Sequence, residues 1–158
     1  MKILGIIDED FINYKKASMV IEFPFCSFKC DKECGKPVCQ NGILANEPAI
    51  EIDAKKIVER YSQNPITEAI VFQGLEPFDS YEDMYDLIIE IRKRTDDDIV
   101  IYTGYSYREI YHYTDKLGHI FPNIIIKYGR YIPAVKPHYD PVVGVNLASD
   151  NQYAEKIS

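Results

Sequence analysis

Three short apolar runs, Ala69-Ile70-Val71-Phe72, Ile99-Val100-Ile101-Tyr102 and Ile124-Ile125-Ile126, alternate with segments of helical spacing, and this alternation constrains the fold most. Runs so short and continuous are of the type that a strand buried on both faces requires. Between the first two, Ser80 can cap a helix running to about Arg94, with Met84, Leu87, Ile88 and Ile91 on one face. Between the second pair, Ser106-x-x-Glu109 is a capping-box pattern opening a helix towards Leu117. Upstream, Asp53 can cap a helix that reaches about Gln63 and stops before Asn64-Pro65. Ile3 to Ile7 and Met19 to Phe25 read as two earlier strands. Alternating strands and helices imply an α/β fold of parallel βα units joined by right-handed crossovers. In such sheets ligands bind at the carboxyl ends of the strands. Three unusual segments follow strand ends here: the cysteine-rich stretch after Phe25, Gln73-Gly74-Leu75-Glu76-Pro77, and Thr103-Gly104-Tyr105. Topology alone predicts that they converge on one rim.

A length of 158 residues suits one domain spanning 1–158, and no repeat or linker divides it. The net charge of -7 opposes binding to nucleic acid or an anionic membrane, because the summed field repels phosphate. The apolar start, Met1 to Ile7, is stopped by Asp8, Glu9 and Asp10, too early for a secretion signal or a membrane span. A cytoplasmic location is therefore expected, where thiols stay reduced.

That expectation bears on the four cysteines, Cys26, Cys30, Cys34 and Cys39, which crowd into one segment. From Cys26 to about Pro48 the composition is that of a loop, with Lys, Gly, Pro and Asn and no apolar periodicity. Flanking Lys, Asp and Glu suit the burial of inert thiols poorly, so the group reads as a metal site. Four thiolates could close a structural zinc site. They could also hold an iron–sulfur cluster, which takes closely spaced cysteines from a single loop. His112, His119 and His138 are scattered and read as surface or capping residues, and Asp96-Asp97-Asp98 reads as a solvated turn.

The strand leading into Cys26, the C-x3-C opening, and a later Cys preceded by Val38 and followed by Gln40-Asn41 resemble radical S-adenosylmethionine proteins. Among these the chain is most similar to the small activating proteins of anaerobic ribonucleotide reductase. That family has a C-x2-C after the second cysteine, which would place a thiol at Glu33, so two registers remain. The third ligand is Cys39 or Cys34, and the apolar neighbour Val38 favours Cys39, since the family packs that position near adenine. Gly74-Leu75-Glu76-Pro77 resembles the family's Gly-Gly-Glu-Pro turn, which holds the amino group of the methionine moiety; Leu75 replaces the second glycine. Thr103-Gly104-Tyr105 resembles its Thr-Gly-Tyr, Tyr128-Gly129-Arg130-Tyr131 its Asp-Gly-Arg-Phe, and Ser149-Asp150-Asn151-Gln152 its Ser-x-Asn-Gln.

The resemblance implies an open partial (βα) barrel with a [4Fe-4S] cluster on Cys26, Cys30 and Cys39. It implies S-adenosylmethionine beside Val38, Gly74, Leu75, Glu76, Thr103 and Tyr105. It also implies reductive cleavage of that cofactor, hydrogen abstraction from a glycine of a glycyl radical enzyme, and a flavodoxin- or ferredoxin-type electron donor. No catalytic side chain is expected beyond the cluster. Lys29, Lys32 and Lys36 either add positive charge near the cluster or simply solubilise the loop. The alternatives are a non-catalytic zinc module and a [4Fe-4S] electron carrier or sensor.

Overall fold

The protein is described here by a computed structural model covering residues 1–158. The chain begins with β1 (Lys2–Ile3), β2 (Gly5–Asp10) and β3 (Ser18–Phe23), followed by α1 (Lys29–Cys34) and a 3-10 turn (Gly42–Asn46). Next come β4 (Ile50–Glu51), α2 (Ala54–Gln63), β5 (Ala69–Gly74), a second 3-10 turn (Pro77–Ser80) and α3 (Tyr81–Arg92). The remainder comprises β6 (Asp98–Tyr102), α4 (Tyr107–Ile120), β7 (Ile124–Tyr128), β8 (His138–Asp140), β9 (Val145–Leu147) and β10 (Tyr153–Lys156).

Six strands form one sheet in the order β10-β7-β6-β5-β3-β2. The four central strands β3, β5, β6 and β7 are parallel, as the buried apolar runs require. Both edges are antiparallel, with β2 against β3 and β10 against β7. The result is a mixed α/β fold around a largely parallel sheet, and it departs from the sequence reading in its first run. Ile3 to Ile7, read as one strand, is split: β1 leaves the sheet to pair with β4, and β2 forms the edge. At the break, the Leu4 amide still bonds to the Glu22 carbonyl at 2.7 Å, so the chain turns without losing its ladder.

Side chains alternate across the sheet and divide the core in two. Ile21, Phe72, Ile101 and Ile126 face the larger cluster, which holds buried residues of α2, α3 and α4. Val20, Val71, Val100 and Ile125 face the other way, beneath Tyr14, Val143 and Leu147. Helices thus cover one face, while short loops and the β8–β9 hairpin cover the other. Each fully buried Ile, Phe or Leu contributes roughly 1.5–3 kcal/mol by leaving water, so the thicker face carries most of the stability.

The helix starts follow the sequence with one exception. Asp53 accepts a bond from the Lys55 amide at 2.9 Å and caps α2. Ser106 and Glu109 complete the capping box of α4. Ser80 makes no side-chain cap for α3; Glu76 instead accepts from the Phe78 amide and starts a 3-10 turn that leads into the helix. No helix is long and apolar enough to cross a membrane.

Candidate metal centre and ligand cavity

The three segments expected at the rim do meet, and the backbone joins them. After β3, the carbonyls of Phe23 and Phe25 accept the amides of Leu75 and Glu76 at 3.1 and 2.8 Å, stitching the start of the cysteine segment to the turn after β5. Gly74 makes this possible: its φ is +99°, and a Cβ there would stand 2.7 Å from the Phe23 nitrogen. Glu76 ties this turn to the end of β6. Its Oε1 accepts from the Thr103 hydroxyl at 2.8 Å and the Phe78 amide at 3.1 Å, and its Oε2 from the Gly104 amide at 2.8 Å. Burial pushes its pKa up to about 7, against the lowering effect of those three donors. Most of the carboxylate's acceptor capacity thus goes to protein donors, leaving little for an incoming ammonium.

The cysteine segment is more ordered than its composition suggests. Phe28 takes a left-handed conformation at φ 51°, and α1 then carries Cys30 and Cys34 before ending at Gly35, φ 66°. The side chain of Asp31 on that helix accepts the amides of Val38 and Cys39 at 2.8 and 2.9 Å, folding the following stretch back over α1. Asn41 reaches across to the Gly74 carbonyl at 2.8 Å. Asp31 and Asn41 thereby fix Cys39 above the end of β5.

All four thiols are free and partly buried. Cys26, Cys30 and Cys39 open onto one cavity of about 480 Å³, whose wall also includes Gly74, Leu75, Glu76, Thr103 and Gly104. Cys34 lies off this wall and opens onto an adjoining cavity of about 200 Å³, which Cys30 also lines, beside Glu33, Arg130 and Asn151. The Phe28 amide donates to Cys26 at 3.2 Å, and the nearby backbone amides of Tyr131 and Asn41 act to lower Cys30 and Cys39. Burial pushes all three upward, Cys26 to about 11, and the charge of Cys39 raises both others. Three thiols therefore share one electrostatic neighbourhood. Metal binding there must displace protons before thiolates can ligate.

Val38 and Tyr105 stand off the cavity wall. Tyr105 lies on the outer side of the rim, its hydroxyl bonded to Asp79 at 2.6 Å, with the Lys29 ammonium 4.5 Å and the Arg130 guanidinium 5.7 Å from its ring. Arg130 also holds Glu109 through two bonds of 2.9 and 2.6 Å and reaches Glu33 on α1 at 3.3 Å. The Ser149 to Gln152 segment braces this arginine from behind. Asn151 donates to the Arg130 carbonyl at 2.9 Å, and Gln152 to the Gly129 carbonyl at 3.1 Å. Among the lysines of the loop, Lys29 is thus engaged in a contact to Glu109 at 3.3 Å rather than merely solvated.

Sequence reasoning missed two parts of the cavity. Lys127 is 7% exposed on its wall, hidden in the sequence as the tail of an isoleucine run. Asp10 at the end of β2 and Asn13 in the loop after it close the far side, with Asp10 Oδ2 accepting the Asn13 amide at 2.9 Å. Nowhere do three His, Cys, Asp or Glu side chains gather as ligands of a single metal ion, and the histidines make no such site.

A family model described as a 4Fe-4S single cluster domain matches residues 18–137. The chain belongs to that family. The span of this 4Fe-4S single cluster domain takes in β3 through β7 and all four cysteines. No curated protein and no solved structure matches the chain. The donor chemistry fits the cluster: thiols are the required ligands, Cys26 on the large cavity has a backbone N–H donor to its sulfur, and no disulfide consumes any of them. A cubane is also broader than one ion, in keeping with thiols that do not converge on a single point.

Proposed function

We propose that Cys26, Cys30 and Cys39 hold the [4Fe-4S] cluster, that the adjoining cavity takes S-adenosylmethionine, and that the protein is a radical enzyme activating a glycyl radical enzyme such as anaerobic ribonucleotide reductase. One observation carries this reading. Three thiols, not four, share a cavity of about 480 Å³ with the Gly74–Glu76 turn and Thr103, a volume within the range of roughly 300–1,000 Å³ usual for small-molecule sites. Three protein ligands leave one iron free to take a chelating ligand, whereas an electron carrier or a structural zinc site needs all four positions closed. The position of Cys34 on a different cavity speaks against those two alternatives.

When bound, the cluster and its cofactor supply the one-electron cleavage of the sulfonium carbon–sulfur bond that allows a hydrogen to be taken from a glycine of the partner. The chain's own residues do the rest. Asp31 and Asn41 fix Cys39 over the end of β5. Glu76 holds the β5 and β6 ends at a constant separation, so that Gly74, Leu75 and Thr103 form one wall. With three protein donors already on it, Glu76 would serve the cofactor chiefly by shaping that wall. The thin cover on one side of the sheet, read as the open side of a partial barrel, leaves a way in for a partner's loop. A flavodoxin or ferredoxin type of donor in the cytoplasm would provide the electron.

Anaerobic reconstitution with iron and sulfide, followed by reduction in the presence of S-adenosylmethionine, tests the reading. 5′-Deoxyadenosine in the product mixture is expected. A stable cluster that yields none under any reductant would leave an electron carrier or sensor. Co-precipitation with an anaerobic ribonucleotide reductase tests the partner separately, and no association with or without the cofactor would remove it.

A further inference from the structure

We propose that Asp79 is the positioning residue of the first cluster ligand: by gripping the Ser27 amide it keeps the Phe28 N–H aimed at the Cys26 sulfur, and through that bond it tunes the cluster's reduction potential. The inference rests on the reading above, in which Cys26 is a ligand. The turn after β5 runs beside the chain that enters the cysteine segment and holds it at alternate residues. The Phe23 and Phe25 carbonyls accept the Leu75 and Glu76 amides, and the Ser27 amide donates to Asp79 Oδ2 at 2.6 Å. Cys26 therefore lies between two gripped neighbours, one held by backbone and the other by a side chain.

The second grip secures a strained link. Phe28 has φ 51°, in the left-handed region that costs a residue with a side chain roughly 1–2 kcal/mol. In that conformation its amide donates to Cys26 Sγ at 3.2 Å, and its carbonyl accepts the Lys32 amide at 3.1 Å as α1 begins. Of two consecutive amides, one is thus spent on Asp79 and the next on the thiol. Releasing Ser27 frees the peptide plane that precedes Phe28, and the sulfur loses its donor. Asp79 is itself firmly placed. Its own amide bonds to the Glu76 carbonyl at 3.1 Å in the 3-10 turn that starts at Pro77, and the buried Phe78 anchors that turn beside it. Its Oδ1 accepts the Tyr105 hydroxyl at 2.6 Å, a second tie between the turn after β5 and the end of β6. The carboxylate also reaches the sulfur electrostatically: burial leads in pushing the Cys26 thiol up, and the charges of Glu76 and Asp79 add to it. Asp79 thus acts on the cluster in two opposite senses. Its charge favours the oxidised cluster, whereas the N–H···S bond it maintains favours the reduced one, which carries one more negative charge.

Two neutral variants separate these effects. Asp79→Asn removes the charge and keeps both contacts, its carbonyl accepting from Ser27 and its NH2 donating to the Tyr105 hydroxyl. Asp79→Ala removes the charge and both contacts. The midpoint potential of the reconstituted cluster is read by reductive titration without S-adenosylmethionine. It is expected to rise in Asp79→Asn relative to the unaltered protein, and to lie lower in Asp79→Ala than in Asp79→Asn. A purely structural role would lower the melting temperature of cluster-free Asp79→Ala and leave the two potentials equal. Equal potentials, or the higher one in Asp79→Ala, would overturn the assignment. Cluster uptake lost from a folded Asp79→Ala alone would support it, and uptake lost from both variants would overturn it. An unaltered protein that takes up no cluster, or a Cys26→Ala variant that keeps one, would instead overturn the ligand set, and the assignment with it.

Discussion

At the scale of single residues, the site is a set of cross-links between distant stretches of chain, and its cysteines are not equivalent. Cys39 is held by Asp31 and accompanied by Asn41, whereas Cys34 looks into a second cavity. Cys39→Ala should therefore abolish the visible absorption and acid-labile sulfide of the reconstituted protein, and Cys34→Ala should leave both near their original level. The reverse pattern would move the third ligand to Cys34. Glu76 makes a second prediction. Its folded pKa of about 7 lies above the ordinary carboxylate value, so it favours the native state fully below that ordinary value. This contribution is lost as pH rises through about 7. Glu76→Gln removes the titration, and the fall in stability of the cluster-free protein between about pH 5 and 8 should flatten, by roughly 3 kcal/mol at most. Chemical denaturation across that range measures it. Gly74, Glu76 and Thr103 stood out through their resemblance to the family's motifs after strand ends, and the structure gives the physical reason for their types: a positive φ at Gly74 and a buried carboxylate bonded to the Thr103 hydroxyl. Lys127 did not stand out, since one lysine after three isoleucines looks like a strand reaching the surface, and only the sheet shows it turned inward.

At the scale of elements, α1 is the least self-sufficient part of the structure. It is short, buries no side chain completely, and is held from outside by Arg130 through Glu33 and by Lys29 through Glu109. Arg130 and the capping box hold Glu109 well below the usual carboxylate range. That interaction stabilises the fold above the ordinary carboxylate pKa and is lost as pH falls beneath it. Arg130→Ala should cost about 1–3 kcal/mol and speed amide exchange in α1 more than in α3. It should also shrink the loss of stability on acidification from pH 6 to 3; unchanged exchange in α1 would show that the helix stands without this clamp. The long helices and buried strands were readable from periodicity and caps, as Asp53 and Ser106-x-x-Glu109 show. Helix α1 was not, because six residues with two cysteines and three charges display no period. The 3-10 turn before α3 was hidden likewise: Ser80 is the usual capping residue, yet Glu76 four positions earlier takes that task.

At the scale of the whole molecule, a parallel sheet flanked by two antiparallel edges places the thiols, the Gly74–Glu76 turn and Lys127 at one end. The alternation of apolar runs predicted this convergence. It could not predict the edges, since pairing of β2 and β10 depends on contacts between the chain's two extremes and the sheet. The helix-covered face supplies stability, and the thinly covered face supplies the cavity. The central claim is that three protein thiolates leave one iron of the cluster open to that cavity. Electron paramagnetic resonance of the reduced, reconstituted protein, recorded before and after adding S-adenosylmethionine, tests it most directly. A distinct change in the cluster signal on addition, retained in Cys34→Ala, is the predicted result; a signal indifferent to S-adenosylmethionine, from a cluster that is lost when Cys34 is removed, would contradict it.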